Sequence, residues 1–183
     1  KILILSDAKT GHLRQSQQVA SIAERLLAIK DKKVEIQTLE PSFKNEFSKT
    51  GLTLCAKLSD RYSCQGCLWC LRRCLTKDSY QQLTSKKFDI IISAGSSLAA
   101  LNFILSHENL ARSIVIMKPS ILSTRRFDLV IEPEHDRPKR GKNIVVTSGA
   151  LNLINEGYLQ EQSQELLNRL GIKRPELAIG LLI

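Results

Sequence analysis

Six short apolar runs separated by longer polar or amphipathic stretches restrict what this chain can fold into. They are "KILILS" (1–6), "KVEIQTL" (33–39), "FDIIISAG" (88–95), "SIVIMKP" (113–119), "FDLVIEP" (127–133) and "KNIVVTSG" (142–149). Each has strand length, and Pro41, Pro119 and Pro133 punctuate three of their exits. Between them lie helical patterns. Val19, Ile22, Ala23, Leu26 and Leu27 fall at helical spacing in a stretch reaching about Ile29, and "SSLAALNFIL" follows Gly95 directly. Glu156 to Leu170 reads as a polar amphipathic helix closed by Gly171. Strands alternating with helices predict an α/β fold: a Rossmann-like parallel sheet flanked by helices, with "KILILS" inside the sheet.

We expect one such domain over residues 1–172. Residues 173–183 then hold a linker, "KRPE", and the first strand of a truncated second domain, "LAIGLLI", packed as a stray or edge element. Both ends are expected to be internal to a longer protein. No apolar run approaches the roughly 20 residues that span a bilayer.

The net charge of +9 favours anionic partners, either phosphorylated small molecules or an anionic membrane surface. Nucleic acid is not expected, because aromatic residues make up only 5% and none interleave with the basic ones as stacking platforms.

In an open parallel sheet, ligands sit beyond the carboxyl ends of the strands. "SDAKTGHLRQS" (6–16), "SAGSS" (93–97), "EPEHDRPKRG" (132–141) and the turn after "NIVVT", with Ser148 and Gly149, occupy such ends. In the first, Gly11 is expected to take a backbone conformation closed to other residues. The helix start then offers N–H groups to an anion, and His12 and Gln15 point toward it. Its glycine count fits neither a phosphate-binding Walker loop nor a dinucleotide fingerprint. A polar turn with a capping role and a general base at His12 are both open readings. In the second, Ser96 or Ser97 is placed to cap the helix, and anion binding at the same N–H groups is the functional alternative. In the third, His135 stands between Glu134 and Asp136, which suits acid–base work, while a solvated connection accounts for the same residues.

Cys64, Cys67, Cys70 and Cys74 have the C-x2-C-x2-C-x3-C spacing of iron–sulfur ligands, with Leu75 where a proline is usual. The other reading is an apolar helix face made of Leu58, Cys64, Cys67, Leu68, Leu71, Cys74 and Leu75. We expect that face, with reduced thiols, no metal and no resident cofactor. Free cysteines in this number suit a reducing, cytoplasmic setting, peripheral to a membrane if the charge is used there.

"SDAKTGHLRQS", "FDIIISAGSSLAAL", "FDLVIEPEHDRP" and "NIVVTSGALN" follow one another as in the mitochondrial-fission Elm family, which the chain resembles over nearly its whole length. The resemblance implies a glycosyltransferase-like GT-B architecture with this chain as the N-terminal, acceptor-holding domain. A nucleotide sugar is then the co-substrate, and a glycan or lipid-linked molecule the acceptor. The Gly11-His12 turn resembles the place where the murein-precursor glycosyltransferase presents its Gly-His pair. His12 is then the candidate base. Gly11, Gln15, Ser16, Gly95, Ser96, Ser97, Ser148 and Gly149 are candidate binding residues, with Glu134, His135 and Asp136 on the cleft wall. The eukaryotic branch is known instead as a peripheral adaptor at the mitochondrial surface, which implies a scaffold without chemistry as the alternative. The family typically reads "SDGKPGH" where this chain has Ala8 and Thr10, and the cysteine-rich insert departs from its pattern.

Overall fold

The computed structural model describes residues 1–59, 68–152 and 156–171. The chain divides into two compact units, Lys1–Asn152 and Leu153–Ile183. The first unit contains one six-stranded sheet, in which β1 (Ile2–Leu5), β2 (Ile36–Leu39), β3 (Ile90–Ala94), β4 (Arg112–Ile116), β5 (Leu129–Pro133) and β6 (Ile144–Thr147) lie in the order β2-β1-β3-β4-β5-β6. Every pairing is parallel. The sheet is therefore the Rossmann-like one expected from the alternation, with β1 inside it.

Alternate residues along each strand serve opposite faces. Leu3, Leu5, Ile91, Val115 and Val130 belong to one buried cluster, and Ile2, Ile4, Ile92, Ile114 and Ile131 to the other. The first cluster is closed by α2 (Glu46–Leu58), α3 (Trp69–Cys74), α4 (Lys77–Thr84) and α5 (Ala99–Asn109), which contribute Leu52, Leu71, Leu83 and Leu101. The second takes Val19 and Ala20 from α1 (Thr10–Ala28). Helix α1 seats on Ser16, Val19 and Ala20, whose small side chains allow close approach to the strands. Ile22 and Leu26, expected on its packed face, are exposed instead.

Helix α5 is buried along most of its length, which explains why its sequence is apolar all round. Asn102 sets its register. The buried amide donates to Ser93 Oγ and to the Ile114 carbonyl, both at 2.9 Å, and its oxygen accepts from Ser106 Oγ at 3.0 Å. Arg126 closes α2 from a distance: its guanidinium donates to the carbonyls of Ala56, Lys57 and Ser59, each at 2.8 Å. That places a cation on the negative end of the helix.

The cysteine-bearing segment behaves partly as expected. Leu71, Cys74 and Leu75 are buried, and Leu68 packs against them. Leu58, assigned to the same apolar face, is exposed on α2. Cys64 and Cys67 lie outside the described residues, as do residues 172–183 with "LAIGLLI". In the second unit, Glu156–Leu170 forms the helix expected there, α6.

Candidate functional site

Strand order reverses between β1 and β3. From β1 the chain moves outward to β2, then crosses back past β1 to β3 and continues to β6. Such a reversal opens a crevice at the carboxyl ends of the two strands, because their connections leave toward opposite faces. Two of the polar segments singled out in the sequence meet there.

Asp7 follows β1, and His12 lies in the first turn of α1. The His12 Nδ1 atom is 3.0 and 2.9 Å from the two Asp7 carboxylate oxygens. An ionised carboxylate only accepts, so Nδ1 carries a proton, and in the neutral form of the ring Nε2 is the nitrogen with the free lone pair. Ser97, entering α5 from β3, donates its hydroxyl to Asp7 Oδ2 at 2.8 Å. The Asp7 side chain is 7% exposed and that of His12 22%. Burial pushes the Asp7 carboxyl up, but the Ser97 and His12 hydrogen bonds and the His12 charge outweigh it and leave it below its ordinary value. Asp7 thus stays ionised and fixes the tautomer of His12.

Gly95 completes the arrangement. Its φ is +72°, and a Cβ built there would stand 2.9 Å from His12 Cε1. Glycine is needed twice, for the left-handed turn and for the space the imidazole fills. Neither α1 nor α5 has a side-chain cap or an acidic residue in its first turn. Asp7 is the carboxylate at this crevice and accepts the Lys9 N–H at 3.4 Å, so the N–H groups it leaves unused are what the two helix starts offer an anionic ligand.

Several expectations are corrected here. Gly11 is an ordinary helical residue, and a Cβ added to it would meet nothing within 4 Å; the left-handed residue of this turn is Ala8, at φ 65°. Ser96 and Ser97 do not cap α5, whose N-cap is Leu98. Ser97 is turned to Asp7, and Ser96 Oγ accepts the Ser120 N–H at 2.8 Å, joining the turns after β3 and β4. Ser16 is buried on the packed face of α1 and serves packing, while Gln15 is partly exposed one turn after His12.

The remaining candidates share the edge without joining the cluster. Glu134–Asp136 forms an exposed 3-10 turn after β5, with His135 Nε2 3.7 Å from Asp136 Oδ1. Strand β5 is two places beyond β3, roughly 10 Å along the sheet. Among the described residues no hydrogen bond links this turn to "TSGALN"; Ser148 and Gly149 are exposed, and Thr147 Oγ1 bonds the Gly149 carbonyl at 2.7 Å. Glu132, just before the turn, is buried. Burial pushes its carboxyl up against the pull of Lys118, and the Asp136 charge adds to the rise. No three His, Cys, Asp or Glu side chains come together as a metal site among the described residues.

The model of the family described as "Mitochondrial fission ELM1" matches residues 10–183. The chain belongs to the mitochondrial fission ELM1 family. Within this ELM1 domain, the matched span includes His12, Gly95 and Ser97 and begins three residues after Asp7. No curated protein and no solved structure matches the chain.

Asp7 is the residue that reading the sequence as separate segments missed. Its signal was present: an acid at the end of the first strand, five residues before a histidine, reaches that histidine when a turn lies between them.

Proposed function

We propose that this ELM1 domain is the acceptor-side half of a GT-B-like glycosyltransferase that uses a nucleotide sugar, with His12 as the general base. The observation that carries this reading is the Asp7–His12 pair at the strand-order reversal, with Nε2 left as proton acceptor. In sugar transfer to a hydroxyl, that atom takes the acceptor proton as oxygen attacks the anomeric carbon and the nucleotide departs. Asp7 holds the ring and stabilises the imidazolium, and Ser97 holds Asp7. The two uncapped helix starts suit a phosphate or carboxylate on the acceptor. Glycan and lipid-linked hydroxyl compounds are the acceptor class.

An adaptor without chemistry is the second reading. The exposed apolar residues of α2 favour it, since a scaffold needs a surface, but a scaffold has no use for a carboxylate-oriented imidazole.

The deciding experiment incubates the full-length protein with a panel of UDP- and GDP-hexoses and measures release of nucleoside diphosphate. Turnover that falls by roughly 100-fold or more in His12→Ala and in Asp7→Asn, with donor binding retained, supports the enzyme. Turnover unchanged in His12→Ala overturns the base assignment, and none in the wild type favours the adaptor.

A further inference from the structure

Helix α2 is apolar on two sides. Leu52 and Ala56 face the core, whereas Phe47, Leu54 and Leu58 recur at the spacing of a separate stripe and stay exposed, Phe47 at 88% and Leu58 at 78%. Beside this stripe, Trp69 at the start of α3 is 63% exposed, its ring under the Arg73 guanidinium at 5.4 Å. Phe47, Trp69, Lys44 and Arg73 line a groove of about 650 Å³ between the two helices. An adjoining groove shares Lys44 and adds Arg72 and Lys77. Among the described residues none of these four cations pairs with a carboxylate. Lys44 donates instead to the main-chain carbonyl of Arg72 at 3.1 Å, which ties the segment before α2 to α3.

We propose that the α2–α3 face docks on an anionic lipid bilayer. Protruding aromatic and aliphatic side chains with cations around them combine the two attractions a charged interface offers: apolar burial at the headgroup boundary and counter-charge above it. Charge selects the occupant: Lys44, Arg72, Arg73 and Lys77, unpaired with carboxylates among the described residues, complement an anionic surface. Phe47, Leu54 and Leu58 are all exposed to solvent, as insertion into a soft boundary requires. No helix among the described residues is long and apolar enough to cross a membrane, and docking from one side needs none. This inference rests on the α2–α3 face alone and is independent of any chemistry at His12.

The test is sedimentation of the full-length protein with vesicles of phosphatidylcholine alone and of phosphatidylcholine mixed with phosphatidylglycerol. Binding to the anionic vesicles only, weakened by salt, is expected. The double variant Phe47→Ser/Trp69→Ser should lose at least about tenfold in binding, and Lys44→Gln and Arg73→Gln roughly fivefold each. These positions are exposed, so an unchanged circular dichroism spectrum and melting temperature should accompany the loss. Wild-type protein that ignores anionic vesicles overturns the proposal, and so does a double variant that binds like wild type. A concentration-dependent dimer that dissociates in Phe47→Ser/Trp69→Ser would assign the face to protein association instead.

Discussion

Ser97 donates its hydroxyl to the carboxylate of Asp7 across 90 residues of chain, at 2.8 Å. That bond joins the turn after β3 to the turn after β1, and through Asp7 it fixes the ring of His12. Replacing Ser97 by Ala should therefore free the carboxylate to rotate. We expect nitrogen-detected NMR of His12 to show one neutral tautomer, protonated at Nδ1, in the wild type and a mixture in Ser97→Ala. A mixture already present in the wild type would contradict the geometry.

Asp7 also ties stability to pH. Its folded carboxyl lies below the ordinary value, so it stabilises the fold above about pH 4, and the contribution is lost as pH falls through the lower, folded value. Asp7→Asn should unfold more readily than wild type in urea at neutral pH, with the gap closing below about pH 4. A gap of constant size down to acid pH would show that Asp7 acts by shape alone.

Glu132 has the opposite sign. Its folded carboxyl is raised, so its ionisation costs stability, a cost absent in acid and complete only above the folded value. Glu132→Gln should melt higher than wild type at neutral pH, and the advantage should vanish below about pH 4. A lower melting temperature at neutral pH would mean that the Lys118 attraction prevails over burial.

Ala8 occupies a left-handed conformation that costs a residue with a Cβ roughly 1–2 kcal/mol. Ala8→Gly should stabilise the protein by about 1 kcal/mol after the entropy of glycine is subtracted, read from chemical denaturation. Thr10→Pro should add to it, since Thr10 is the first residue of α1 and Lys9 before it has the extended backbone that proline favours.

Asn102→Ala should cost roughly 3 kcal/mol, because it removes three good hydrogen bonds and leaves Ser93 Oγ, Ser106 Oγ and the Ile114 carbonyl without the amide in the core. Denaturant midpoints measure this directly. A loss under about 1 kcal/mol would mean that neighbouring groups re-pair.

The sheet was legible because its inner strands, β1, β3, β4 and β5, are buried on both faces, which leaves continuous apolar runs such as "IIISA" that few other structures use. His12, Gly95 and Ser97 were legible as strand-end residues for the same reason. Their grouping was not, since it depends on β1 and β3 being neighbours, and adjacency of strands leaves no local mark. The reading of Gly11 failed because a glycine in the first turn of a helix looks like a turn glycine. The left-handed position fell instead on Ala8, a residue that carries no such signal. Ile22 and Leu26 misled through periodicity alone, which registers apolar character without telling which apolar stripe meets the sheet. Phe47 and Leu58 were unreadable as surface residues, because apolar side chains at helical spacing imply burial by default.

The strand order carries a consequence for the order of synthesis. When the chain has left the ribosome as far as residue 87, β1 has only β2 beside it, and its other edge stays unpaired until Ile90–Ala94 emerges. Asp7 lacks Ser97 over the same interval, and the end of α2 waits longer still for Arg126. A nascent chain of this length exposes a β-edge and an apolar strand face together, the combination that invites association with other chains. Translation pauses or chaperone contacts while residues 40 to 95 emerge should therefore change the yield of soluble protein.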